Sequence, residues 1–263
     1  MNNGDVRKLY SFLEFQDEKY YKRDIKRGIP PKGNILIKKE SEPNVGAGKW
    51  TIYLPVIHGY PPLKKYELPP NLFLELYRPY ALSFDFMNYT HNAIIVSKEM
   101  LKFLNNFVLL GLENSFSVAS LTVLNRKNAV VQTRKKYYLI WFYRFDNFYE
   151  QGGIHPKFKQ YMPNDEDPLC FGKKVNSIFD ENNPKKPIRG KFYPNLKIKE
   201  GIERKSFVLQ GCPFLLLFTE EIKNMIEENG FIGPPIYAMD EIHKAFIRPK
   251  VQCDGFISEQ KSK

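Results

Sequence analysis

Residues 92–111 read NAIIVSKEMLKFLNNFVLLG. The run from Asn92 to Val96 is short, apolar and partly β-branched, which is the composition of a buried strand. Ser97 follows as a helix-capping residue, and Glu99 sits in the first turn, where a carboxylate favours the helix dipole. Met100, Leu101, Leu104, Phe107 and Val108 recur at three-and-four spacing, so they share one inward face, and Gly111 supplies a left-handed stop. A strand running straight into a capped amphipathic helix is expected. Residues 213–230, PFLLLFTEEIKNMIEENG, repeat the grammar: Thr219 caps, Glu220 and Glu221 occupy the first turn, Ile222, Met225 and Ile226 face inward, and Gly230 ends the helix. The two units are either structural equivalents or two instances of a common strand-to-helix turn.

Between them, Ser120 to Asn125 and Ala129 to Asp146 are rich in β-branched and aromatic residues, with Asn125-Arg126-Lys127-Asn128 as the turn of a hairpin. Tyr137 to Tyr143 is apolar or aromatic on both faces and is expected to run centrally in a sheet. Upstream, Ile35 to Ile37 and Trp50 to Ile57 read as short strands. The prolines from Pro61 to Pro79 argue against a central strand or a long helix there and predict an extended surface connection. Residues 1–34 read as a charged N-terminal arm, and residues 35–263 as the folded body, in one piece or two lobes. Residues 150–204 lack periodicity, carry six prolines, and read as a long loop. Ser206 to Gln210 and Phe214 to Phe218 resume strand composition, while Ala238, Met239, Ile242, Ala245 and Phe246 fit one more short helix. The expected fold class is α+β: a mixed or mostly antiparallel sheet of short strands with a few packed helices.

The 263 residues carry 40 Lys plus Arg against 29 Asp plus Glu, a formal net charge of +11. With 43% hydrophobic and 15% aromatic residues the chain can bury a core, which excludes wholesale disorder. No run approaches the ~20 apolar residues of a membrane span, and the N-terminus lacks the apolar segment and cleavage site of a secretory signal, so a cytoplasmic location without membrane contact is expected. Cys170, Cys212 and Cys253 are odd in number and widely spaced, which fits reduced thiols better than a disulfide framework or a zinc site. His58, His91, His155 and His243 form no metal-ligand pattern. Gly46-Ala47-Gly48-Lys49 fails as a phosphate loop, because Pro43 stands where glycine is needed and Trp50 where Ser or Thr is needed. Asp165-Glu166-Asp167 lacks the spaced ligands of a calcium loop. Neither a nucleophile elbow nor a dinucleotide fingerprint occurs. No catalytic residue, metal ligand or cofactor is therefore assigned.

One stretch offers binding chemistry. Lys185, Lys186, Arg189, Lys191, Lys197 and Lys199 punctuate Phe192 and Tyr193. Cations interleaved with aromatics hold phosphates and stack bases, but the same mixture serves a protein interface, where aromatic and Arg residues anchor and Lys steers the encounter. The absence of an RNA-recognition signature and of helix-turn-helix grammar makes nucleic acid the less favoured partner.

Asp85-Phe86, NAIIVSKEMLKFL, the aromatic strand ending near Asp146 and LLLFTEEIKNMIEENGFIG together resemble the bacterial polymorphic-toxin immunity proteins. In that family an apolar strand, a Ser or Thr cap and an amphipathic helix recur, and the phrase Glu228-Asn229-Gly230-Phe231-Ile232-Gly233 matches a frequent ending. The resemblance spans roughly residues 84–240. It implies an immunity protein, not an enzyme, that binds a cognate toxin effector domain and blocks its active site or substrate access in bacterial competition. A chain this basic is steered fastest toward an acidic contact surface, so the partner-binding residues are expected to be Lys185, Lys186, Arg189, Lys191, Phe192, Tyr193 and Lys197. The alternatives are a nucleic-acid-binding module built on the same stretch and an enzyme that reverses a toxin-made modification.

Overall fold

The computed structural model describes residues 7–12, 25–38, 68–90, 92–110, 112–113, 115–142, 146, 201–208 and 216–239, and the backbone of six short strands between 154 and 198. In chain order the elements begin with β1 (Leu9–Phe12), β2 (Ile35–Lys38), β3 (Asn71–Leu76), β4 (Phe86–Thr90) and β5 (Ala93–Ser97). Helix α1 (Lys98–Phe103) continues into a π turn at Leu104–Val108, followed by β6 (Phe116–Asn125) and β7 (Tyr137–Phe142). Then come β8 (Ile154–His155), β9 (Gln160–Tyr161), β10 (Leu169–Phe171), β11 (Phe179–Asp180), β12 (Asn183–Pro187) and β13 (Leu196–Ile198). The described chain ends with β14 (Ser206–Val208), β15 (Leu216–Thr219), α2 (Glu220–Glu228) and β16 (Ile236–Ala238). This is a mostly-sheet α+β fold.

The larger sheet has the order β2-β3-β6-β7-β5-β4, with β3 parallel to β6 and every other pair antiparallel. Its sequence patterns reflect how it is covered. Helix α1 packs on β5 and β7, so those strands are buried on both faces and read as unbroken apolar runs. Strands β3 and β6 alternate buried and half-buried residues because one of their faces stays open. The two edges approach each other: the outward N–H of Ile37 on β2 donates to the Tyr89 hydroxyl on β4 at 2.9 Å. The sheet therefore curls toward a barrel, and a side chain occupies a backbone group that would otherwise recruit another strand.

The second sheet has the order β14-β15-β1-β16, all antiparallel. One apolar cluster spans both sheets. At the seam, Phe12 of β1 stacks on Phe86 of β4 with ring centroids 3.8 Å apart, and the Asp85 N–H donates to the Ile232 carbonyl at 2.6 Å.

Several expectations need correction. Leu9–Phe12, assigned to an arm, is an inner strand of the second sheet and is buried throughout. Nearby, Gly28 has φ +76°, and a Cβ there would collide with Ser83 and the Ala81 carbonyl, so the segment before β2 is docked as well. Charge density in residues 1–34 hid two short apolar anchors. The proline-rich connection contains β3, an inner strand, because Asn71 to Arg78 is free of proline and Leu72, Leu74 and Leu76 share one face. Within 150–204 the backbone forms three small antiparallel pairs, β8–β9, β10–β13 and β11–β12. Ala238 ends a strand, so the last expected helix does not begin there. The expected strand at Trp50 to Ile57, the remainder of that helix, Cys212, Cys253, His58, His91, His243 and the Asp165–Asp167 run lie outside the described residues.

The hairpin forms as expected. Strand β6 pairs with β7 across a turn whose Asn125 carboxamide accepts from the Lys127 and Ala129 N–H groups, with Asn128 at φ 59°. Strand β7 lies inside the sheet, between β6 and β5.

Candidate functional site

The 104–108 π turn begins where the α1 ladder slips by one residue, so that the Leu109 N–H donates to the Leu104 carbonyl at 2.7 Å. A turn widened by one residue rotates the side chains after the slip. Leu104 and Val108 stay buried, but Phe107, which α-helical spacing places inward, is 45% exposed. Leu110 just beyond is 66% exposed. Phe107 still rests against Phe103 at 5.2 Å between centroids, which fixes its ring to the protein. Single π turns inside helices occur often at functional sites, and a large apolar residue held in solvent is the informative exception to burial.

Facing the π turn are the entry to β14 and the first two turns of α2. Together they enclose a groove of about 270 Å³, with Phe107, Leu110, Ile222 and Met225 as its apolar surface and Glu203, Arg204, Lys205 and Glu221 at its rim. The rim is ordered by specific bonds. Arg204 pairs with Asp146, donates from Nε to the Ser206 carbonyl at 2.9 Å, and lies 4.7 Å over the Phe207 ring. Asp146 accepts from the Val208 N–H at 2.6 Å and donates its own N–H to the Val208 carbonyl at 2.7 Å, standing in for a neighbouring strand at the outer edge of β14. Ser206 donates to the Val108 carbonyl at the end of the π turn, which ties the two walls together. Lys205 pairs with Glu221 at 2.6 Å, both exposed.

A second convergence of polar groups lies at the seam. Buried Asp85 accepts from Ser97 Oγ at 2.6 Å, from Lys135 Nζ at 2.7 Å on both oxygens, and from the Ile232 N–H at 2.9 Å. Beside it the Tyr137 hydroxyl is buried without a hydrogen bond among the described residues, and its pKa is pushed well above the ordinary value of 10, first by burial, then by the Asp85 and Glu99 charges. The Asp85 carboxylate is saturated by donors from three segments, which suits a joint between sheets. Among the described residues no three His, Cys, Asp or Glu side chains lie close enough together to hold a metal ion. Nor is any described helix long and apolar enough to cross a membrane.

Of the residues expected to bind a partner, Lys185 and Lys186 fall on β12 and Lys197 on β13, two different short pairs. Arg189, Lys191, Phe192 and Tyr193 lie outside the described residues. The groove at Phe107 was missed because a break in helical period is invisible to residue spacing. Asn105-Asn106, two weak helix formers in mid-face, is the local hint.

The family profile of Immunity protein 43 matches residues 22–249, reaching well into the N-terminal third that the resemblance left uncovered. No curated protein matches the chain. The chain belongs to the Immunity protein 43 family.

Proposed function

Starting from that membership, we propose that the protein protects its producer in the cytoplasm by binding a cognate toxin domain and covering its active site or substrate path, without turnover. The observation that carries this reading is the groove at the π turn, where Phe107 and Leu110 stand in solvent against an ordered polar rim. An apolar centre within a polar rim is the anatomy of a protein interface. The basic stretch supplies a second element of the proposal. Lys185, Lys186, Arg189, Lys191 and Lys197 steer the chain toward an acidic patch on the toxin, with Phe192 and Tyr193 as anchors.

The test is co-expression with the C-terminal domain of the protein encoded beside this chain. Cells carrying both survive and the two purify as a stable complex; death of those cells, with no complex formed, overturns the proposal. Reversal of Lys185, Lys186, Arg189 and Lys191 to Glu slows association and flattens its salt dependence. Association at the original rate assigns steering to another surface.

A further inference from the structure

The chain as a whole is strongly basic, at +11, yet the groove is not. Its two cations are already engaged, Arg204 by Asp146 and Lys205 by Glu221. Glu203, at the rim and exposed, makes no ion pair among the described residues. Along α2, Glu228 lies three residues beyond Met225, so an exposed carboxylate that makes no ion pair among the described residues sits beside the methionine that lines the groove, while Glu221 is spent on Lys205. What remains open to a visitor is apolar surface bordered by negative charge.

The size of the groove narrows the class of visitor. About 270 Å³ lies just below the ~300–1,000 Å³ of small-molecule sites and suits one inserted side chain. Met225 provides an adaptable wall, and Phe107 a rigid one braced by Phe103. Rigid aromatic surface in a partly enclosed pocket is where interfaces concentrate their affinity.

The geometry points to this groove as the anchor site for a toxin segment that presents an apolar or aromatic side chain flanked by Lys or Arg. This rests on the reading of the chain as a toxin-binding immunity protein. It adds a second, oppositely charged contact to the one proposed for the basic stretch. The apolar residue enters between Phe107 and Met225, and its cationic neighbour meets Glu203 or Glu228. The salt-bridged Arg204 and Lys205 hold the rim without repelling that cation, because their charges are already compensated.

The probe is the purified C-terminal domain encoded beside this chain, rendered inactive so that it can be handled. Phe107→Ala weakens its binding by about tenfold or more, through faster dissociation. Because the side chain is half exposed, unfolding should stay as in the parent protein, and a thermal melt verifies this. Glu203→Lys with Glu228→Lys lowers the association rate several-fold at low salt, and the loss shrinks as salt is added. Photo-cross-linking from benzoylphenylalanine placed at position 107 captures a toxin peptide with an apolar residue within two positions of Lys or Arg.

The outcomes separate the two proposals. If the parent protein binds the toxin domain while Phe107→Ala binds equally well, or if the cross-link falls in an acidic segment, the groove assignment is overturned and toxin binding stands. If the parent protein fails to bind, toxin binding itself falls and the groove assignment with it.

Discussion

Ser97 ends β5 and Thr219 ends β15, each with extended backbone, ψ 165° and 168°, and each followed at once by a helix. Their wiring differs. Ser97 Oγ accepts from the Met100 N–H at 3.1 Å, as a helix cap does, and donates to Asp85 at 2.6 Å. Thr219 Oγ1 is buried and makes no hydrogen bond among the described residues. One strand-to-helix junction is thus joined through its cap to the seam between the sheets, while the other has no side-chain cap and is tied instead through Glu220, which accepts from the Tyr10 hydroxyl at 3.1 Å, and Glu221, which pairs with Lys205. Helix α2 keeps its position through buried Ile222 and Ile226 and through Glu220 and Glu221 near its positive end. A residue of capping type at the right place does not itself make a cap; the side chain must also be rotated toward the helix.

The difference can be broken most forcefully at Asp85. Asp85→Ala removes the acceptor shared by Ser97, Lys135 and the Ile232 N–H and leaves donors stranded at the seam. A loss of about 3 kcal/mol is expected, reduced from the cost at a fully buried ion pair because Lys135 is 27% exposed and regains water. Denaturant unfolding measures it. A loss below about 1 kcal/mol would mean that the seam is held by apolar contact alone.

The two caps respond in opposite directions. Ser97→Ala forfeits the cap bond and one bond to Asp85, at about 1–2 kcal/mol. Thr219→Val keeps the shape and removes a buried hydroxyl that has no partner among the described residues, so it is neutral or stabilises by up to about 1 kcal/mol. Capping grammar alone predicts a loss of about 1 kcal/mol for Thr219→Ala through broken hydrogen bonding. Here that bond does not exist, and the alanine loses only methyl packing. Equal losses for Ser97→Ala and Thr219→Val, measured by thermal unfolding, would erase the distinction.

These junctions also mark how far residues alone could lead. Strand β5, the Ser97 cap, β7 inside the sheet, the Asn125 turn and the Gly230 stop at φ 65° were legible, because each is decided by neighbours a few positions away. Strand β3 was not, since its proline-free window is only eight residues long between Pro70 and Pro79. Strand β1 was not, since four buried residues gain meaning only when β15 and β16, more than 200 positions away, flank them. The groove was not, because a π turn is a slip of hydrogen bonding that leaves composition unchanged. The basic stretch was legible as charge but not as a surface, since charge says nothing of what lies next to it in space.

The smallest expected effect sharpens the same contrast, and it is confined to alkaline solution. Tyr137 lies in the Ser97 half of the molecule, its hydroxyl buried near the Asp85 and Glu99 charges; burial first, and then those charges, raise its pKa above 10 in the fold. A phenol whose folded pKa exceeds its unfolded one contributes stability in full below the unfolded value of about 10. That stability is lost as pH rises toward the folded value, because only the unfolded chain then releases the proton readily. Between pH 6 and 9 the ionisation contributes no slope. Above pH 10 the parent protein loses stability steadily, and Tyr137→Phe removes part of that slope; the remainder includes Tyr89, which burial also shifts upward. At neutral pH Tyr137→Phe is neutral or slightly stabilising, since it deletes a buried hydroxyl without a hydrogen bond. Denaturant unfolding from pH 7 to 11 separates the two contributions. An alkaline slope unchanged by Tyr137→Phe would show that water reaches the phenol in the folded state, and that the Asp85 joint is looser than its hydrogen bonds imply.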